Sequence, residues 1–175
     1  HVRSDDPCEE RSAGLHWRCS GLKKLEKYAY WLMLSNYDLE TIETLIAGKR
    51  WVYVTYLCQQ AIERQLKGMY VYYMDAEAPK THNVTFLFNK ITKSPAFAAI
   101  EASPEFRRRR DECEDFLVDV MFYYMSDYPF SYKNITARFV DECVALDLYK
   151  KAKDFVFWLR SFQPAVEIPK ELPAV

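Results

Sequence analysis

The sequence predicts an all-α fold, an up-and-down bundle of four long helices and one short helix. Apolar residues recur at helical spacing through four long segments, and helix-ending or helix-starting residues separate those segments. Strand-like alternation is absent, and only four glycines occur, at positions 14, 21, 48 and 68. Short connections between consecutive amphipathic helices make antiparallel neighbours around one core.

The first helix begins near Lys23, where Tyr28, Trp31, Leu32, Leu39, Ile42, Leu45 and Ile46 fall on one face. Gly48 closes it, at a position where glycine often ends helices. A second helix runs from Trp51 to about Met74, with Val54, Leu57, Cys58, Ala61, Leu66 and Met69 inward. Pro79 breaks the pattern because it donates no backbone bond. The short helix follows, with Thr81 or Asn83 as cap and Val84, Leu87, Phe88 and Ile91 on one face.

Ser103-Pro104-Glu105 marks the fourth start, with a cap, a proline at the first position and an acid in the first turn. Phe106, Cys113, Phe116, Leu117, Val120, Met121 and Tyr124 point inward. The charged run that follows Phe106 reads as a solvated face of i,i+4 pairs: Arg107–Asp111, Arg108–Glu112 and Arg110–Glu114. A phosphate-binding patch is the other reading. The break "SDYPF" ends this helix, since Pro129 cannot continue it and pushes Tyr128 towards extended backbone. A fifth helix is expected from about Thr136 to Phe162, carrying Phe139, Cys143, Leu146, Tyr149, Ala152, Phe155, Leu159 and Phe162.

This organisation divides the chain into a polar, mobile arm (1–21), a helical bundle (22–163) and a Pro-rich tail (164–175). A formal charge of −1 gives no wholesale electrostatic grip on nucleic acid, and four scattered glycines build no phosphate-cradling loop. No uncharged apolar run is long enough to cross a bilayer, and no basic start with an apolar signal segment follows His1. The five cysteines, at 8, 19, 58, 113 and 143, form no CxxC and are odd in number. A soluble, reduced, cytoplasmic chain is therefore the expectation. Cys8, His16 and Cys19 lack zinc-site spacing, so neither a metal nor a cofactor is read.

Chemistry-bearing residues gather on the second helix. Gln59, Gln60, Glu63, Arg64 and Lys67 lie away from the apolar stripe, with Glu63 and Lys67 in the favourable i,i+4 order. Arg64 and Lys67 are expected to be exposed, and two readings stay open: a solvated face or a ligand-binding stripe. His82 stands at a helix start, where an imidazole bonds a backbone group or a carboxylate. Asp38 is expected to pair with a cation on a neighbouring helix.

The ordered set of Asp38-Leu39, Gly48 before an aromatic, Gln59-Gln60-Ala61 with Glu63 and Lys67, Thr81-His82 and Tyr128-Pro129 resembles the HEPN domain (higher eukaryote and prokaryote nucleotide-binding). The resemblance covers roughly residues 24–160. It implies a five-helix bundle, a homodimer, and a frequent role beside a minimal nucleotidyltransferase in a toxin–antitoxin pair. It also offers Asp38, Gln60, Glu63, Arg64, Lys67, His82, Asp127 and Tyr128 as residues that touch nucleotide or RNA. Many family members are ribonucleases, using an Arg followed a few residues later by a His near the end of the fourth helix. Here that place reads Asp127-Tyr128-Pro129-Phe130, and no histidine follows. An acid there repels phosphate, so the expectation is a non-catalytic module. The alternatives are an atypical ribonuclease using Lys133, Tyr128 or His82, and a plain protein-interaction bundle. Aromatic residues make up 16% of the chain, including 13 tyrosines. That exceeds the needs of one small core and adds to the expectation of a dimer.

Overall fold

The structure, a computed structural model, describes residues 23–126 and 140–170. The expected arm, the turn holding Asp127 and Tyr128, and residues 171–175 lie outside the described residues. Four long helices are present: α1 (Lys24–Ala47), α2 (Trp51–Met74), α5 (Pro104–Ser126) and α6 (Glu142–Ser161). The short helix is α3 (Val84–Thr92). Between α3 and α5 lie a 3-10 turn (Pro95–Phe97) and one further helical turn, α4 (Ala98–Glu101). No strand occurs among the described residues, and the fold is all-α as expected. None of the described helices is long and apolar enough to cross a membrane.

The central element is α2, which packs against α1, α3, α5 and α6. Its neighbours enclose it so fully that Val54, Cys58, Ala61, Ile62, Leu66, Met69 and Val71 are all buried. The α1–α2 contact is close because Gly68 has no side chain. A Cβ placed there would stand 2.9 Å from Trp31 Cβ and 3.1 Å from Tyr28 Cδ2. Small Ser35 sits on the same interface, its hydroxyl donating to the Ala61 carbonyl at 2.8 Å.

At the other end of the core, Phe106 on α5 is fully buried. Its ring meets Phe88 of α3, Phe97 of the 3-10 turn, Trp158 of α6 and Phe162 just past the end of α6. One side chain thereby joins four elements; truncating such a residue costs about 3–5 kcal/mol.

Local signals act as their chemistry dictates at several helix ends. Asn83 Oδ1 accepts from Phe86 N–H at 3.0 Å and caps α3, while Thr81 Oγ1 accepts from Asn83 N–H at 3.1 Å. Asp141 Oδ1 accepts from Val144 N–H at 2.9 Å and caps α6. That cap corrects the expected course of the fifth helix, because Val140 and Asp141 stand outside it, while Lys133, Thr136 and Phe139 lie outside the described residues. The α1 terminus differs in a telling way. Gly48 keeps an ordinary φ of −83°, and Lys49 is the left-handed residue at φ 55°. The Arg50 N–H reaches the Leu45 carbonyl at 2.9 Å and the Lys49 N–H the Ile46 carbonyl at 3.0 Å, a Schellman ending shifted one residue along.

Two more expectations are corrected. Cys143 and Leu146 are exposed, and α6 instead buries Ala145, Leu148 and Val156 beside Tyr149, Ala152, Phe155 and Leu159. Of the three expected i,i+4 pairs on α5, only Arg110–Glu114 comes within ion-pair reach, at 3.6 Å. The same run reaches other elements more closely: Arg110 lies 2.7 Å from Glu101, and Arg109 2.7 Å from Asp154 on α6. Arg109 also covers the Trp158 ring at 5.0 Å.

Candidate functional site

The polar residues of α2 are not a solvated face. Gln59 is fully buried, Glu63 is 3% exposed and Lys67 9% exposed, which overturns the expectation that Lys67 projects into solvent. Arg64 is half-buried. A charge tolerates such burial only when its hydrogen bonds are made. Glu63 meets that condition as a hub. Its carboxylate accepts from Lys67 Nζ at 2.6 Å, Gln59 Nε2 at 2.9 Å and His82 Nδ1 at 3.0 Å. Gln60 Nε2 stands at 3.5 Å.

Helix periodicity assembles this hub. Gln59, Glu63 and Lys67 are successive i,i+4 positions on one stripe, so their ends meet without help from another element. The segment before α3 then brings in His82. Gln59 Nε2 also donates to the His82 carbonyl at 2.8 Å, fixing the backbone that carries the ring. A carboxylate only accepts, so the imidazole proton that faces Glu63 is on Nδ1, and Nε2 lies on the opposite edge. The His82 side chain is 62% exposed. Its ring lies 5.7 Å from that of Tyr124 on α5, which stacks at 5.4 Å and 25° on Tyr56 of α2.

Arg64 and Asp38 form a second arrangement. Consecutive residues on a helix point about 100° apart, so Arg64 leaves the Glu63 hub and turns towards α1. Its Nη1 donates to Asp38 Oδ1 at 2.7 Å and to the Leu34 carbonyl at 3.4 Å. The expected pairing of Asp38 with a cation on a neighbouring helix is thus present. Asp38 is 4% exposed, and its Oδ2 has no partner among the described residues. Burial pushes its carboxyl up to about 6, against the opposing pull of Arg64.

The eight residues predicted from sequence therefore divide. Gln60, Glu63, Lys67 and His82 come together, Asp38 and Arg64 form a separate pair, and Asp127 and Tyr128 lie outside the described residues. The sequence places Tyr124 inward, as found, but does not show its pairing with Tyr56, which joins helices far apart in the chain. Sequence reasoning missed Arg160, which bonds Gln65 Oε1 at 2.8 Å and Asn36 Oδ1 at 2.7 Å. No group of three or more His, Cys, Asp or Glu among the described residues is placed to hold a metal.

A buried polar stripe runs along the central helix of this all-α bundle, and a histidine just before the short third helix closes it. The family model of the HEPN domain matches residues 28–162, and the chain belongs to the HEPN domain family. Neither a curated protein nor a solved structure matches it.

Proposed function

We propose that this chain is a non-catalytic HEPN module that binds nucleotide or RNA, works in the cytoplasm as a homodimer, and partners a minimal nucleotidyltransferase in a toxin–antitoxin system. The observation that carries the binding reading is the His82 ring. It is anchored from behind by the buried Glu63, exposed in front, and set against the Tyr124–Tyr56 stack. Tyr124 is buried behind it, so the exposed His82 ring itself offers a flat, polar nucleobase a face to stack on and a fixed hydrogen-bonding edge. The non-catalytic reading rests on sequence: the arginine and histidine used by nucleolytic relatives have no counterparts after Tyr124 in the expected spacing.

The test is anisotropy with a labelled single-stranded RNA decamer, alongside calorimetry with ATP, for the parent and His82→Ala. The expected result is saturable binding of one of these ligands, weakened about tenfold or more by the substitution in a chain that circular dichroism shows still folded. No binding of either, or binding indifferent to His82, would refute the reading. Copurification with the neighbouring gene product then tests the partner, and light scattering the dimer.

A further inference from the structure

A second site, unrelated to the His82 surface, lies between α1 and the C-terminal segment. A cavity of about 820 Å³ opens there, within the range of about 300–1,000 Å³ usual for small-molecule pockets. Its apolar walls come from Met33 and Leu34 of α1 and from Ile168 and Pro169, which fold back across the helix. Met33 is buried, and Leu34 and Ile168 are half-buried. Arg64 supplies the charged end.

That guanidinium is held in advance of any ligand. Both of its hydrogen bonds, to Asp38 and to the Leu34 carbonyl, use Nη1. Nε and Nη2 make none among the described residues. Asn36 stands beside it with Oδ1 committed to Arg160, so its Nδ2 remains a donor without a partner among the described residues. Lys170 adds a second cation at the rim. Two acids limit what these donors will accept: Asp38 behind Arg64, and Glu40 on the rim. A multiply charged phosphate would meet both carboxylates, whereas a single carboxylate matches the planar fork of one guanidinium.

We propose that this cavity binds an amphipathic monocarboxylate, its head on Arg64 and Asn36 and its apolar body along Met33, Leu34 and Ile168. The inference stands apart from the nucleotide reading, since it shares no residue with the His82 surface. It makes the C-terminal segment a functional wall.

The experiment titrates decanoate, below its micelle concentration, into the full chain and follows heat and melting temperature. Decyltrimethylammonium and AMP are run in parallel. Decanoate is expected to bind one-to-one and raise the melting temperature by mass action, while the cationic amphiphile and AMP leave this site unaffected. Ile168→Glu should abolish the effect. The paired change Arg64→Gln with Asp38→Asn, which strands no buried charge, should weaken it about tenfold. His82→Ala should leave it intact. Absence of saturable decanoate binding, equal binding of the cationic analogue, or indifference to both sets of substitutions would overturn the proposal.

Discussion

The Lys67 ammonium lies 2.6 Å from the Glu63 carboxylate one helical turn earlier, with side-chain exposures of only 11% and 5%. This pair is a buried charge couple on the central helix, and it behaves differently from a surface pair of the same spacing. Surface i,i+4 pairs contribute about 0.3–0.5 kcal/mol. Removing one member of a buried pair strands the other, at about 3–5 kcal/mol. Lys67→Met should therefore destabilise the fold by that order in urea unfolding. Glu63→Gln with Lys67→Met should cost clearly less than the two single changes added together. Additive losses would mean the two side chains do not depend on each other.

Gly68 sets the distance between α1 and α2. Alanine there gains about 1 kcal/mol of helix propensity over glycine. Its Cβ, however, would stand 2.9 Å from Trp31 Cβ, an atom fixed to its helix backbone, so the helices must part. Overpacking of this kind costs about 1–3 kcal/mol. Gly68→Ala should lower stability by up to about 2 kcal/mol net. Gly48→Ala is the control, because its nearest neighbour would be an ordinary 3.5 Å away. A stabilised Gly68→Ala protein would show that the interface yields.

Asp38 should make stability depend on pH in the sense opposite to most carboxylates. Its folded carboxyl sits at about 6, above the ordinary aspartate value of 3.8, chiefly because burial disfavours the charge. Between those values the folded chain holds a proton that the unfolded chain has lost. Stability from this group is therefore complete below pH 4 and falls as pH rises through 6, by up to about 3 kcal/mol at about 1.36 kcal/mol per pH unit. In denaturant titrations across pH 4–7, Asp38→Asn should lack that fall. The stability of the variant relative to the parent should therefore rise with pH. A gap that stays constant with pH would remove Asp38 from the titration.

The helices were legible because their apolar period is strong and their ends carry the right chemistry. Asn83 caps as its side chain predicts, and Pro104 opens α5. The environment of α2 was not legible from polarity alone. Gln59, Glu63 and Lys67 satisfy one another and His82, and such mutual satisfaction lets polar groups leave water. The available clues were their i,i+4 repetition and the small residues Ala61 and Gly68 on the same helix. The face of α6 was misread because Cys143–Leu146 and Ala145–Leu148 offer two apolar starts a short rotation apart. Packing against α2, which no local pattern encodes, selects the second. The aromatic pair Tyr56–Tyr124 and the Arg64 cavity depend on contacts between distant segments, beyond the reach of spacing arguments.

The remaining prediction concerns RNA cleavage. Cleavage without metal needs a group to take the 2′-hydroxyl proton, another to protonate the leaving oxygen, and a cation to hold charge on the phosphate. His82 offers one imidazole, but Glu63 occupies its Nδ1, so a single ring edge remains for acid–base work. The cation beside that hub, Lys67, is spent on Glu63 and buried, and so presents little charge to a phosphate. Arg64 turns to Asp38 instead. Asp127, an acid where an arginine stands in nucleolytic relatives, supplies no cation of its own. The purified chain should therefore leave mixed cellular RNA intact in EDTA, even where it binds it. Cleavage by the parent that His82→Ala or Asp127→Ala removes, with the fold retained by circular dichroism, would establish an active site and refute the non-catalytic reading. Cleavage unchanged by either substitution would point to a contaminating nuclease, which a second preparation through a different purification tag should eliminate.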